Sequence, residues 1–189
     1  MLAELLQLVK RSVPLQRRHG FQNAAIGDDF DRPFIHNGQM REPVDAHDFV
    51  VTVESIRGGR GLAQIFNTAT TDGVFLLVKI RVSAYDEATT VGYQALVDGS
   101  GNTYEADERD YAFRGHTLQP RIPVEAELAF ELPTAAVTNH LMLLLSSYPF
   151  GHNAHQVMAQ IALDITDAQL ASWTHQAEPL KPMDPEVTT

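Results

Sequence analysis

The residues with the most capacity for chemistry are His152 and His155, in the run GHNAHQ. A His-x-x-His pair can bind zinc, but the zinc-protease arrangement puts the pair on a helix and adds a glutamate base and a third ligand. Here the pair straddles a glycine turn and a strand start, so surface histidines are the simpler alternative to a metal site. Asp98, Ser100, Asn102 and Glu105 offer a second possibility. Oxygen donors stand at the first, third and fifth positions of a calcium loop, but Thr103 and Arg109 replace its sixth-position glycine and twelfth-position glutamate. Asp98-Gly99 and Gly101-Asn102 are also turn dipeptides, which account for the same residues with fewer assumptions. The acidic run Glu105, Asp107, Glu108, Asp110 could take a basic partner or weak cations, or be a solvated loop.

Other nucleophile and base candidates lack context. Ser146-Ser147 is not set in the Gly-x-Ser-x-Gly of a hydrolase elbow. Neither a phosphate loop nor a dinucleotide fingerprint is present. His116 and His140 would matter only if folding gathered them, or His152 and His155, around a cleft with a carboxylate. Trp173, the single tryptophan, would be a core anchor docking the tail, or a hot spot for a protein partner. No catalytic constellation and no cofactor follow from these residues.

The composition bounds the partners. The chain has 189 residues, 44% of them hydrophobic, which suits one domain with tails and a real core. With 14 basic and 24 acidic residues the formal charge is -10, a surface that repels nucleic-acid phosphates and anionic lipid heads. The basic group Lys10, Arg11, Arg17, Arg18 has no aromatic interleaving. Absence of cysteine excludes thiolate zinc sites, a catalytic cysteine and disulfides. No apolar run reaches the length of a membrane span.

The elements that must position these residues are mostly strands. Met1–Val13 has Leu2, Leu5, Leu6 and Val9 at helical spacing, expected to form a short helix on the domain or the flank of an upstream anchor. Residues 15–44 read as an irregular leader, with Asp28, Asp29 and Asp31 in a solvated turn. DFVVTVESI (48–56) alternates as a half-buried strand that Gly58, Gly59 and Gly61 break; LAQIF (62–66) is a second short strand, followed by a loop NTATTDG. In VFLLVKIRVSA (74–84) the set Val74, Leu76, Val78, Ile80, Val82 should face the core. YQALV (93–97) and TYEA form a hairpin across DGSGN. Val124, Ala126, Leu128, Phe130 and Leu132 point inward, with Glu125, Glu127 and Glu131 outward. TAAV suggests one helical turn, HLMLLLSS (140–147) and HQVMAQIALDI (155–165) the last strands, and Thr166 the N-cap of a short helix. The proline-rich end EPLKPMDPEVTT is expected to be disordered. Many short strands without intervening helices predict an antiparallel β-sandwich.

These runs resemble the bacterial immunoglobulin-like domain of unknown function, in the superfamily of the mycobacterial immunoprotective extracellular antigen. The likeness lies in Phe49–Ile56, Phe75–Val82, Leu96-Val97-Asp98 with Gly101-Asn102-Thr103-Tyr104, and Leu118–Pro120 with Ala126–Pro133. It departs at Arg121-Ile122-Pro123, where the family has a glycine after the proline, and in lacking the usual signal peptide or lipobox. The resemblance covers roughly residues 45–165. It implies an all-β immunoglobulin-like sandwich over 45–166, preceded by a helix and leader (1–44) and followed by a tail (167–189). It also implies an extracytoplasmic or cell-surface location. Catalytic residues are not part of what it implies.

The expected function is a non-enzymatic interaction module acting through protein–protein contacts, exported or membrane-associated in a bacterium. The alternative is a small-ligand or metal carrier using the sandwich interior or the histidine-bearing end. Metal ligation would fall to His152 and His155, partner binding to Trp173.

Overall fold

The computed structural model describes residues 33–64, 66–107, 113, 115–148 and 156–188. Met1–Val13, the basic group, Asp28–Asp31, His152 and His155 lie outside these residues. In chain order the strands are β1 (Phe34–Gln39), β2 (Val44–Asp45), β3 (Phe49–Ala63), β4 (Thr68–Ala84), β5 (Tyr93–Val97), β6 (Thr103–Glu105) and β7 (Val124–Leu132). Then come a single 3-10 turn (Thr134–Ala136), β8 (Met142–Ser146), β9 (Val157–Ala162), helix α1 (Asp167–Thr174) and β10 (Glu186–Val187). They build two five-stranded sheets packed as a sandwich, ordered β1-β9-β8-β5-β6 and β10-β7-β4-β3-β2.

Period-two alternation places the core. Val74, Leu76, Val78, Ile80 and Val82 of β4 are all at most 1% exposed. They share the interior with Val124, Leu128, Phe130 and Leu132 of β7, and with Leu143, Leu145 and Ile161 of the other sheet. β-Branched and large aliphatic side chains suit such a pleated, two-layer interior. A register shift between Val53 and Ser55 puts Glu54 in a bulge, after which the inward set of β3 passes from Val51 and Val53 to Ile56 and Gly58. Thr166 caps α1 as expected: it accepts from the Gln169 amide while the Gln169 side chain accepts from the Thr166 amide.

Four expectations are corrected. First, Gly58, Gly59 and Gly61 do not break the strand, because β3 and β4 run on as one long hairpin, with a second register shift between Gly59 and Gly61. The loop expected at NTATTDG is strand from Thr68, where Thr68, Ala69 and Thr70 pair with Ala63, Leu62 and Gly61 and the β-branched threonines favour an extended backbone. Second, the leader is not irregular throughout: β1 pairs parallel with β9, and β2 pairs with β3. Third, the proline-rich end is ordered: Leu180 bridges Leu62, and β10 pairs with β7. Fourth, Glu127 points outward by period but is only 6% exposed, because that tail lies over it. Both sheets therefore recruit residues from outside the 45–166 span.

Candidate interaction surface

Four connections converge at the end of the sandwich where β3 begins. They are Ala46–Asp48 before β3, the β4–β5 connection, the segment ahead of β7, and the β8–β9 connection, whose described ends are Tyr148 and Gln156. The Asp48 carboxylate accepts from the Ser147 hydroxyl, and the Asp48 carbonyl accepts from the Tyr85 amide at 3.0 Å. The Arg121 amide donates to the Ala84 carbonyl at 3.0 Å, and Ala84 bridges Pro120. The Asp45 carboxylate accepts from the His47 amide at 2.7 Å, and His36 Nδ1 donates to the Asp45 carbonyl. Backbone and side-chain bonds together thus hold these loops in one arrangement rather than leaving them independent.

Two residues here, His47 (φ 67°) and Arg121 (φ 61°), occupy the left-handed region without being glycine. Such a conformation costs on the order of 1–3 kcal/mol and persists only where surrounding bonds impose it. On this frame stand three large exposed side chains: Tyr85 (48%), Ile122 (45%) and Tyr148 (38%). Tyrosine with an aliphatic neighbour on a rigid backbone buries much area in a complex at low entropic cost. The Arg121–Asp86 pair, at 3.9 Å and strongly exposed on both sides, adds little to stability.

The residues singled out by sequence distribute differently. Asp98 sits at the opposite end of the sandwich. Its carboxylate accepts from the amides of Ser100 and Asn102 (2.9 Å each), the Asn102 side chain (2.9 Å) and the Tyr104 hydroxyl (3.0 Å). Partial burial pushes its pKa up, but the donors from Asn102, Ser100 and Tyr104 outweigh this and hold it below the usual carboxylate value. Burial, and then the bond to Asp98, push the Tyr104 phenol up to about 12. Both carboxylate oxygens are committed to the turn, so the hairpin reading accounts for the calcium-like spacing. Glu105 is exposed, and Asp107 uses its amide on the Ala129 carbonyl, joining the two sheets along that side.

His140 lies against Gly99 at the hairpin end, and His116 stacks on Phe113, so these two do not share a cleft. Ser146 donates to the Val157 carbonyl and Ser147 to Asp48, roles that hold loops. Among the described residues no group of three or more His, Asp or Glu side chains is placed to hold a metal. His152 and His155 belong to the β8–β9 connection, outside the described residues. Trp173 is 6% exposed and lies over Gly58; of its two readings, this is the position of the core anchor that docks α1. The sequence offered no signal for Tyr85, Ile122 and Tyr148 as a group, because only the sheet topology brings their loops together.

Comparison with known protein families and with curated proteins finds no match. Among solved structures, an uncharacterized β-sandwich protein from Clostridium difficile 630 aligns with a TM-score of 0.45 at 9% identity, over 70% of this chain and 97% of that one. No helix among the described residues is long and apolar enough to cross a membrane.

Proposed function

We propose that the protein is a non-enzymatic immunoglobulin-like module that binds a protein partner through its loop end, at the outer face of a bacterial cell. Strand order supports the immunoglobulin-like part. β3-β4-β7 are neighbours in one sheet and β5-β8-β9 in the other, and the chain changes sheet between β4 and β5 and between β7 and β8. These are the relations of strands A-B-E and C-F-G in the immunoglobulin sandwich, with β6 lying beyond β5 where a C′ strand falls. In that arrangement the β4–β5 and β8–β9 connections correspond to B–C and F–G, loops that antibodies use for binding.

The observation that carries the interaction reading is the set Tyr85, Ile122 and Tyr148, exposed on loops pinned to one another by hydrogen bonds. Affinity capture with the full chain from membrane and extracellular fractions of the native cell tests it. Wild type should recover a stoichiometric partner. A variant carrying Tyr85→Ala, Ile122→Ala and Tyr148→Ala should fold with an unchanged far-UV spectrum and lose that partner. Recovery of the protein alone, or equal capture by the variant, would sink the proposal. Location is tested separately by fractionation, where recovery only from the cytosol would count against export.

A further inference from the structure

The C-terminal segment straps the outer face of the β10-β7-β4-β3-β2 sheet from one edge to the other. At the β3 edge the Leu180 amide donates to the Gly61 carbonyl (2.8 Å), and the Ala63 amide donates to the Leu180 carbonyl (2.7 Å). The Leu180 side chain enters an apolar patch of Leu62, Phe75, Leu77 and Ala129. Crossing the sheet, the Lys181 carbonyl accepts from Arg57, and the Met183 amide donates to Glu127 at 2.9 Å. At the β7 edge Glu186 and Val187 pair with Glu125 and Val124.

Three features distinguish this strap from an ordinary buried tail. Recognition is carried by backbone groups and a single fully buried side chain, the signature of a peptide added to sheet edges. Lys181, Asp184, Glu186 and Val187 are exposed. The charged receiving groups stay paired without it: Arg57 grips Glu127 through two bonds, 2.8 and 2.6 Å, so departure of the strap leaves no unpaired buried charge and gives up backbone bonds at the sheet edges, those to Gly61 and Ala63 among them. Finally, β3 accepts the weakening that glycine brings to a strand, and two of its glycines serve the strap. A Cβ at Gly59 would stand 3.2 Å from Leu180 and one at Gly61 3.3 Å from Pro179. Prolines at 179, 182 and 185 keep the segment extended at low entropic cost.

We propose that this face is a docking groove for an extended peptide segment with a proline-flanked leucine, supplied by a partner protein, and that residues 179–188 close it in cis. The β7 end of the groove reaches the loop end, where the Thr188 amide donates to the Pro123 carbonyl at 2.9 Å, but peptide binding here and partner capture there are read by different measurements, so each reading fails on its own result. The experiment titrates a labelled peptide of residues 178–188 into the full chain and into full-length Leu180→Ala, whose own strap is weakened. Leu180→Ala should bind the peptide at least tenfold tighter than wild type, and a peptide with alanine in place of the leucine should bind at least tenfold more weakly. A folded Leu180→Ala chain that shows no saturable binding, or that takes both peptides equally, overturns the proposal. Should that variant not fold, amide exchange on wild type decides. Leu180 and Met183 exchanging at least a hundredfold faster than Leu76 and Val78 supports a separable strap, and equal rates overturn it.

Discussion

Gly58 and Trp173 form a pair whose energetics can be worked from the geometry. A Cβ at Gly58 would lie 2.6, 2.7 and 2.8 Å from three ring atoms of the indole, inside any real carbon contact. The ring is rigid and almost fully buried, so Gly58→Ala must push it off β3 or move α1. Truncating a buried aromatic to alanine costs ~3–5 kcal/mol, which sets the scale for Trp173→Ala. Partial loss of the same docking by Gly58→Ala should cost about 2–4 kcal/mol on that scale. The exchange also restricts the unfolded chain, returning ~0.4–1 kcal/mol, because Gly58 is not among the glycines with positive φ.

The net cost of Gly58→Ala in the wild-type background is then about 1.5–3 kcal/mol, or a fall in Tm of ~3–12 °C for a chain of this size. In a Trp173→Ala background the sign reverses. The Cβ has room, only the unfolded-state effect remains, and Gly58→Ala should be neutral or stabilising by up to ~1 kcal/mol. Urea unfolding of the four proteins, followed by far-UV circular dichroism, gives the cycle directly. The unfolded-state effect is common to both backgrounds and cancels, so a coupling of about 2–4 kcal/mol is expected, the docking loss itself. Additivity within ~0.5 kcal/mol, with Gly58→Ala as damaging without the indole as with it, would refute the close-approach account.

The hairpin, the C-terminal strap and the histidines each carry a test. Asp98 titrates below its unfolded value when folded, so its contribution is present above an unfolded pKa of ~3.9 and disappears as pH falls through the folded value. The gap in urea midpoint between wild type and Asp98→Asn should be constant from pH 6 to 8 and close below about pH 4; a pH-independent gap would contradict this. The Tyr104 phenol, pushed up to about 12, contributes stability below an unfolded pKa of ~10 that is lost as pH rises through the folded value. Tyr104→Phe should accordingly flatten the alkaline limb of the stability profile. Glu127→Ala removes the acceptor of both Arg57 and the Met183 amide. With Arg57 itself 44% exposed and able to reach water, the loss should be ~1–3 kcal/mol by urea unfolding, with faster exchange at the Met183 amide, whose acceptor is removed. Elemental analysis of protein purified without chelator should show no stoichiometric zinc; one zinc per chain, lost in His152→Ala, would restore the metal reading.

What the sequence made legible tracks how local each determinant is. The inward sets of β4 and β7 are visible because alternation is a property of neighbours along one strand, and burial on one face enforces it at every second residue. The same locality explains the errors at Gly58, Gly59 and Gly61. Glycine weakens a strand through its own entropy, so three in four residues read as a break; the compensation comes from Trp173, Leu180 and Pro179, more than a hundred positions away. Prolines at 179, 182 and 185 misled in the opposite direction. Proline cannot donate, but the amides that the strap uses belong to Leu180, Met183 and Thr188, so the ladder loses nothing. Glu127 shows that period and environment are separate: its direction was legible, while its burial depended on a tail that crosses above it. Tyr85, Ile122 and Tyr148 carry no shared pattern at all, being joined through Asp48 and Ala84 only after both sheets have formed. A surface assembled by topology leaves the chemistry of each residue unremarkable in the sequence, which is why the conspicuous spacing at Asp98 belongs to a turn while the exposed cluster proposed for binding lies among ordinary loop residues.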